Sequence, residues 1–461
     1  MVMLPVPILT WNVGFDLLVV DPVQSISLSQ NYVLPNMSIW NESGEVNARW
    51  VQVCDGQVEK ILKKDEFNEN ENSLPILNEF AGKTLIPAGV DAQVHLRVPG
   101  QPEKEEARTG LSAAVCGGVG AFLSMPNTRP ALDSVSVLQK ALEEVRPFED
   151  SIGVKVLFTA CLTRSMAGNE AVDYESLIKE GVVHFTDDGL GVESDSVMES
   201  IFRESDRLGF KILQHAEMPG HGGVLAPGPV QKKLGVKPYL DNPEVDMVDR
   251  DIKLLRKYPK AHYHVLHISS LRTLELIERA KADGLNISGE VTPHHLLYSC
   301  DDIREKDSSF KMNPPIRTKK DRDALRGALQ SGLLDFVATD HAPHESLQKG
   351  ENFAIAAFGT TGLEASLRVL LKLRSDGALS TSRLVSSFSS APARFLGIES
   401  EYGSIEVGKK LNVVIVDTIS PYTPILTEEL ASKSHNSCFL AESFPGKIEA
   451  TILGTLAWRP V

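Results

Sequence analysis

Short apolar segments alternate with amphipathic segments through the middle of the chain, and this alternation constrains the fold more than any other feature. The apolar segments, interpreted as strands, are Thr84–Leu96, Gly120–Met125, Val154–Ala160, Val182–Asp187, Lys211–His215, His262–Ile268, Ile287–Val291 and Asp335–Thr339. The helical patterns between and after them are Glu105–Cys116, Ser134–Val145, Ser196–Leu208, Val245–Tyr258, Leu271–Asp283, Lys320–Leu333 and Glu364–Leu373. Apolar strands followed by amphipathic helices predict parallel βα units, and about eight such units predict a closed (β/α)8 barrel of the TIM type.

The two ends of the chain have a different pattern, made of short β-type runs. The candidates are Asp16–Val20, Ala48–Val53, Val58–Leu62, Leu411–Val416 and Ile448–Leu453. We expect residues 1–84 and 399–461 to build one small β-sandwich domain beside a barrel at residues 85–398. An open doubly wound sheet is the alternative for the middle of the chain. Its dinucleotide-binding form is disfavoured because the first βα turn has no G-x-G-x-x-G sequence.

The composition narrows the kind of partner and compartment. The 461-residue chain has a formal net charge of −14, which repels a phosphate backbone and disfavours nucleic acid as a partner. Its five cysteines are scattered and contain no C-x-x-C pair, so a disulfide framework is disfavoured and a reducing, cytoplasmic location is expected. The N-terminal segment lacks the features of a signal peptide, and no apolar run is long enough to predict a membrane span.

Metal-type side chains collect at the carboxyl ends of the predicted strands, where barrel active sites lie. They occur in Asp91-Ala-Gln93-Val-His95-Leu-Arg97, Met125-Pro-Asn127, Asp187-Asp188, His215-Ala-Glu217, His267, Pro293-His294-His295 and Asp340-His341-Ala-Pro-His344. A single histidine at a strand end is usually structural. Several imidazoles and carboxylates on one face form a zinc-type ligand set, so the sequence predicts a catalytic metal site; chance clustering is the alternative.

Structural roles are expected for the other histidines. These are His184, His262 and His264 within strands, His221 and His435 in loops, and His294 and His295 after the seventh strand. Of Asp187 and Asp188 only one can point into the barrel, because neighbours on a strand face opposite ways.

The motifs taken together resemble the dihydroorotases of the amidohydrolase superfamily, in particular the bacterial type I group. The matching segments are Val94–Gly100, Met125–Pro130, Phe185–Gly189, Arg250–Ile252, Asn313–Arg317, Ala338–His344, Gly362–Glu364 and Ser432–Asn436. Their order and spacing extend over almost the whole chain. The resemblance implies a zinc-dependent enzyme of pyrimidine biosynthesis that interconverts N-carbamoyl-L-aspartate and L-dihydroorotate, with one or two zinc ions.

The resemblance also implies a role for each polar side chain of the site. The implied metal ligands are His95, Asp188, His215, His267 and Asp340, with Asp188 bridging the two ions. The implied substrate contacts are Arg97, Asn127, Asn313 and His344, with Arg97 and Asn127 binding a carboxylate. Asp340 would also be the catalytic residue, taking a proton from a metal-activated water molecule and passing it to the leaving nitrogen. Glu345–Phe358 would form a mobile loop that closes over the substrate.

The sequence departs from the family pattern at one metal ligand. The first strand of the family reads His-x-His, whereas this chain has Gln93-Val-His95. A glutamine oxygen is a weaker zinc ligand than imidazole, so the ion shared by His95 and Asp340 is expected to bind less tightly. Three interpretations remain: one tight and one weak or absent ion, Gln93 as a ligand or as support for a water molecule, or a chain with little catalytic activity.

Two further hypotheses follow from these interpretations. A catalytically weak chain would be a scaffold subunit for aspartate carbamoyltransferase, as some dihydroorotase-like chains are. A hydantoinase-type cyclic amidase is a substrate variant of the enzyme hypothesis, although such enzymes generally carry lysine where this chain has Asp188. A small-molecule substrate and a homodimer are expected by analogy with the family.

Overall fold

The computed structural model describes residues 23–220 and 222–460, so the predicted strand Asp16–Val20 and the loop residue His221 lie outside the described residues. The strands before the barrel are β1 Val23–Ser25, β2 Asn31–Asn41, β3 Gly44–Cys54, β4 Gln57–Lys63 and β5 Thr84–Pro87. The barrel strands are β6 Gly89–Val94, β7 Val119–Ser124, β8 Lys155–Phe158, β9 His184–Phe185, β10 Lys211–Gln214, β11 His262–Val265, β12 Ile287–Val291 and β13 Phe336–Val337. The last strands are β14 Asn412–Asp417, β15 Thr423–Pro424, β16 Ser443–Phe444, β17 Lys447–Leu453 and β18 Leu456–Pro460.

The α-helices form the outer layer of the barrel and end where their capping residues predict. They are α1 Ala107–Cys116, α2 Val135–Ile152, α3 Tyr174–Lys179, α4 Asp195–Leu208, α5 Pro229–Leu234, α6 Asn242–Lys257, α7 Leu271–Ala282, α8 Pro293–Leu297, α9 Lys319–Ser331, α10 Ser346–Lys349, α11 Ser366–Ser375, α12 Thr381–Val385 and α13 Ala391–Leu396. In α9, for example, Thr318 and Asp321 form a capping box at the start, and Gly332 ends the helix with a φ of 87°. None of the described helices is long and apolar enough to cross a lipid bilayer.

The eight strands β6 to β13 close into a parallel barrel, which confirms the predicted fold class. β6, β7 and β8 pair in sequence order, and β9 to β13 do the same. Two parallel bridges join the groups, from Ala160 to Phe185 and from Val94 to His341. The carboxyl ends of all eight strands therefore meet at one mouth. Phe395 of α13 packs at the opposite end, with its ring centroid 5.1 Å from that of Phe336.

A β-rich domain is built from both ends of the chain, also as predicted. Its strands form one hydrogen-bonded sheet in the order β1-β18-β17-β14-β5-β2-β3-β4. This sheet covers its own apolar core, which includes Leu34, Val51, Val413 and Ile452. Because β14 pairs with both β5 and β17, residues from the two ends of the chain are neighbours within the sheet.

The predicted strand Thr84–Leu96 is divided between the two domains, which corrects the interpretation of this run as one strand. β5 pairs with β14 in the β-rich sheet, whereas β6 pairs with β7 in the barrel. Gly89 starts the barrel strand against the Phe388 ring, where an added Cβ would lie 2.4 Å from the nearest ring carbon. The apolar pattern continues through both strands because each is buried, so periodicity does not reveal the change of sheet.

Residues 418–446 form a segment between β14 and β17 that we call the C-terminal insertion. The prediction places this segment in the β-sandwich, but the structure packs it on the barrel. Within it, the Ser434 hydroxyl donates to the Lys104 carbonyl at 2.6 Å, and Glu442 accepts from Arg304 at 2.6 Å. The insertion thus reaches the mouth of the barrel, where the candidate site lies.

Candidate active site

The ends of five barrel strands bring two sets of potential metal ligands together. One set is Asp188, His215 and His267; the other is His95, Asp188 and Asp340. In the first, His215 Nδ1 lies 2.9 Å from His267 Nε2 and 3.3 Å from Asp188 Oδ1. In the second, His95 Nε2 lies 2.9 Å from Asp340 Oδ1 and 3.2 Å from Asp188 Oδ2. Asp188 offers a different oxygen to each set, which is the geometry of a bridging carboxylate.

Three residues at the mouth have left-handed backbone conformations that aim their side chains into the site. The φ angles are 63° for Arg97, 33° for His267 and 49° for Asp340. Such conformations cost a non-glycine residue about 1–3 kcal/mol and concentrate at functional sites. Each of these residues lies two or three positions after the last residue of a barrel strand, so the strained turn is where the chain leaves the sheet.

The charges of the site favour a bound cation. Burial lowers the pKa of His95, but hydrogen bonds with Asp188 and Asp340 outweigh this and raise it to about 9. Burial also lowers the pKa of His215, but hydrogen bonds with Asp188 and Glu217 raise it to about 10. The pKa of Asp188, which burial would raise, is held well below its ordinary value by the surrounding histidines. A divalent metal ion would replace these protons among the same carboxylates.

The hydrogen bonding of the buried polar atoms in the ligand sets also favours a bound metal ion. Among the described residues, Gln93 Oε1 is buried without a hydrogen-bond partner, and Asp188 Oδ1 has only the long contacts with His215 and His267 at 3.3 and 3.6 Å. Such atoms are costly unless something else, here a cation, completes their coordination. Imidazole and carboxylate are the ligands that zinc takes in hydrolases, and three or four of them leave a position open for water.

Gln93 lies within the site, on the same face of β6 as His95. Its Nε2 donates to Asp188 Oδ2 at 3.2 Å, and its side chain is fully buried. The amide therefore occupies the place of the missing imidazole and holds the bridging carboxylate by a hydrogen bond. Its free Oε1 is the atom that could approach a metal ion.

A cavity of about 230 Å³ opens onto both ligand sets. The predicted substrate contacts Arg97, Asn127, Asn313 and His344 all line it. Arg97 is 6% exposed, its Nε has no hydrogen-bond partner, and it forms no ion pair with any residue of the described ranges. Burial lowers the pKa of Arg97 to about 10, which leaves the guanidinium charged at neutral pH. The cavity therefore contains a buried cation that forms no direct ion pair, although the charges of Asp340, Asp188 and Glu105 act on it.

Asn127 has a contact that the sequence did not predict. Its Oδ1 lies 2.8 Å from His95 Nδ1, so that nitrogen carries the proton and Nε2 faces Asp188 and Asp340. Asn127 thus orients a candidate metal ligand. Its Nδ2, 3.5 Å from the Asp188 carbonyl, remains near the cavity.

Residues 345–358, the predicted mobile loop, fold over the cavity with Phe358 in its wall. The buried Lys349 ammonium donates to the carbonyls of Lys311, Ala357 and Gly359 at 3.1, 2.8 and 2.8 Å. His344, just before the loop, has its pKa lowered to about 3 by burial and by the Arg97 charge, so its imidazole is neutral.

Asp187 and the remaining histidines lie away from the two ligand sets. Asp187 turns outward and accepts hydrogen bonds from the Leu162 and Thr163 amides at 2.8 and 3.1 Å. His184 and His264 are buried at the base of the barrel, where burial lowers the pKa of each to about 3. His295 Nε2 lies 3.2 Å from the Pro314 carbonyl and supports the turn that carries Asn313.

Two carboxylates beside the site were given no role from the sequence, although Glu217 stands in one of the strand-end segments. Glu217 Oε2 lies 3.3 Å from His215 Nε2 and 2.7 Å from Asn313 Nδ2. Glu105 Oε2 lies 3.4 Å from His341 Nε2 and accepts from the Ser432 hydroxyl at 2.5 Å. The spacing of His215-Ala-Glu217 puts both side chains on one side of an extended chain, so Glu217 had a local signal. Glu105 had no signal for its place beside the site, since His341 and Ser432 are more than 200 positions away.

Comparison with known proteins identifies the family of the chain. The amidohydrolase family model matches residues 84–453. A dihydroorotase of Listeria welshimeri is 34% identical over 93% of this chain and 99% of its own length. A dihydroorotase of Anaplasma phagocytophilum is 39% identical over 81% of this chain and 82% of its own length.

The solved structure of the L-hydantoinase from Arthrobacter aurescens superimposes with a TM-score of 0.80. It covers 93% of this chain and 96% of the hydantoinase at 23% identity, a level that supports a shared fold. The chain therefore belongs to the amidohydrolase family and is a cyclic amidohydrolase of the dihydroorotase type.

Proposed function

We propose that the protein is a zinc-dependent dihydroorotase, which reversibly cyclises N-carbamoyl-L-aspartate to L-dihydroorotate and water in pyrimidine biosynthesis. The observation that carries the proposal is the buried Arg97 guanidinium, which lines the cavity beside the two ligand sets and forms no direct ion pair within the described residues. A planar guanidinium that is free of a direct carboxylate contact is suited to two-point binding of a substrate carboxylate. Both members of the proposed substrate pair carry such a carboxylate, and uncharged hydantoins do not.

Zinc would be held by the ligands already described. His215 and His267 with Asp188 form the more complete set, and His95, Asp188 and Asp340 form the other. When bound, the metal supplies an acidified water molecule and polarises the amide carbonyl. Because the second set has Gln93 in place of a histidine, we expect the His215–His267 ion to be the tighter one.

Side chains of the cavity bind the substrate, transfer the proton and exclude water. Arg97 binds the substrate carboxylate, with Asn127 and Asn313 donating from either side of the cavity. Asp340 accepts the proton of the attacking water and returns it to the leaving ring nitrogen; in the cyclisation direction it works in reverse. The neutral His344 and the loop of residues 345–358 exclude bulk water from the same space.

The decisive experiment measures opening of the dihydroorotate ring by the zinc-supplemented protein, with Asp340→Asn as the blank. We expect turnover that the blank lacks. Arg97→Met should raise the KM for dihydroorotate about 100-fold, since a charge-assisted carboxylate contact contributes about 3 kcal/mol. Arg164→Met, at an exposed arginine, should leave KM unchanged.

Each alternative predicts a different result in this assay. Hydrolysis of uncharged hydantoins without turnover of dihydroorotate would indicate a hydantoinase-type amidase. A folded, zinc-loaded protein that turns over neither substrate would contradict the enzyme proposal and favour the scaffold subunit.

We further propose that the protein is cytoplasmic and forms a homodimer, with aspartate carbamoyltransferase as a candidate partner. The proposal rests on the resemblance to dihydroorotases. Light scattering of the purified protein, alone and mixed with that enzyme, tests the assembly: a monomer that does not associate would contradict both the homodimer and the partner.

A further inference from the structure

We propose that Glu217 is a positioning residue, which fixes His215 as a metal ligand and Asn313 as a substrate contact at the same time. The inference rests on the proposed metal centre, but it does not depend on the identity of the substrate. One carboxylate oxygen, Glu217 Oε2, is shared by both side chains. Glu217 itself belongs to neither ligand set.

The first half of the inference concerns which nitrogen of His215 faces the metal. His215 Nδ1 points to His267 Nε2 and Asp188, at 2.9 and 3.3 Å, whereas Nε2 points to Glu217 at 3.3 Å. Asp188 and Glu217 can only accept, so a metal ion bound at Nδ1 would leave the proton of the neutral imidazole on Nε2, where it faces Glu217. Asn313 Nδ2 also lies 3.2 Å from Nε2, but it donates to Glu217 at 2.7 Å. The Nδ1 lone pair is then directed into the ligand set. A histidine held in this way by a carboxylate is a more basic and better oriented ligand.

The second half concerns the side-chain amide of Asn313, whose oxygen accepts a hydrogen bond and whose nitrogen donates one. Its Oδ1 accepts from the Tyr239 hydroxyl at 2.9 Å, and its Nδ2 donates to Glu217 at 2.7 Å. The amide cannot flip without placing Nδ2 against the hydroxyl and Oδ1 against the carboxylate. Asn313 therefore enters the cavity in one orientation, which Tyr239 and Glu217 set together.

The surroundings of Glu217 hold its carboxylate in place. Its side chain is 20% exposed, and Oε1 faces Gly222, where an added Cβ would lie 2.9 Å away. Among the described residues Glu217 forms no ion pair with lysine or arginine; its partners are His215, Asn313 and Tyr239. A carboxylate with a merely structural role on the surface would not be expected to contact both a candidate metal ligand and a substrate-binding residue, as Glu217 does.

The test compares the zinc affinity of Glu217→Gln with that of the wild type by competition with a chromophoric chelator. Glutamine keeps the shape but loses the charge, so we expect the zinc dissociation constant to rise about 10- to 100-fold. Glu193→Gln, at an exposed carboxylate near the mouth, is the matched control and should bind zinc as the wild type does. Tyr239→Phe removes the hydroxyl that contacts Asn313 and Glu217 but leaves the Glu217 charge beside His215, so it should raise the substrate KM and weaken zinc binding less than Glu217→Gln does.

The outcomes separate this inference from the proposed function. A wild type that retains no zinc would overturn the metal centre itself. Tight zinc binding that is equal in the wild type and in Glu217→Gln would overturn the role of Glu217 and leave the enzyme proposal standing. Melting of the metal-free variants shows whether folding is intact. If Glu217→Gln does not fold, Glu217→Asp replaces it, and unchanged zinc affinity in that variant overturns the inference as well.

Discussion

At the scale of single residues, Gln93 is the position where the sequence departs from the His-x-His pattern of the family that it resembles. Its Nε2 donates to Asp188, while its buried Oε1 has no hydrogen-bond partner among the described residues. The amide thus compensates in part for the lost imidazole by holding the bridging carboxylate. A neutral oxygen nevertheless contributes less to zinc binding than an imidazole nitrogen, so the difference should appear in metal stoichiometry.

Gln93→His should restore the family ligand and raise the affinity for the second zinc ion about tenfold, since imidazole is the stronger zinc ligand. Mass spectrometry of metal content after dialysis at defined free zinc measures this. Gln330→His adds a histidine on the exposed face of α9 and should not change the content. An unchanged second-site occupancy in Gln93→His would show that Gln93 does not limit metal binding.

At the scale of elements, a buried carboxylate is one of the groups that attach the C-terminal insertion to the barrel mouth. Glu105 accepts from the Ser432 hydroxyl at 2.5 Å and from the Lys433 amide at 3.0 Å. Hydrogen bonds from His341 and Ser432 keep the pKa of Glu105 below its ordinary value, although burial opposes this. Because His341 is adjacent to Asp340, the same carboxylate connects the insertion to the candidate catalytic residue.

Glu105→Gln should loosen the insertion, because an amide NH2 would face donors that now bond to the carboxylate. Leaving such groups unpaired costs about 2 kcal/mol, which corresponds to ~30-fold faster amide exchange in residues 430–437. Hydrogen-exchange mass spectrometry measures the rate. Glu143→Gln, on the exposed face of α2, serves as the control. Exchange at the wild-type rate in Glu105→Gln would refute this fastening role.

The same elements show what the sequence could and could not predict. The barrel was predictable because its strands are apolar and its helices amphipathic, so each has its own periodicity. β2 was missed: Pro35 and Asn36, which has a φ of 52°, interrupt its pattern, yet the strand continues through them with a shift of register. The insertion was misplaced because its anchors are long-range hydrogen bonds, and no local pattern records the partner of Glu105.

The candidate site likewise has some features that the sequence predicts and others that it does not. The positions of His95, His215 and Asp340 followed from the rule that strand ends meet at one mouth of a barrel. The contact of Asn127 with His95 and that of Glu217 with His215 depend on side-chain direction, which strand spacing does not fix. The residues that orient the ligands are therefore the part of the site that required the structure.

At the scale of the whole molecule, the candidate metal centre connects much of the barrel. Its ligands come from the ends of β6, β9, β10, β11 and β13, five of the eight barrel strands. In the absence of a metal, carboxylates and imidazoles from distant parts of the chain must be held together without their counter-charge. Metal binding should therefore stabilise the folded barrel as a unit and not only the mouth.

Removal of zinc should accordingly lower the urea midpoint of global unfolding. A ligand that binds only the folded state, at a free concentration 1,000 times its dissociation constant, stabilises that state by about 4 kcal/mol. Asp188→Asn weakens both ligand sets, so its midpoint should depend little on zinc. His435→Gln removes an exposed histidine outside the site and should keep the full dependence. If the wild type unfolds at the same urea concentration with and without zinc, the ligands do not bind a metal that couples the strands, and the barrel is held by its apolar core alone.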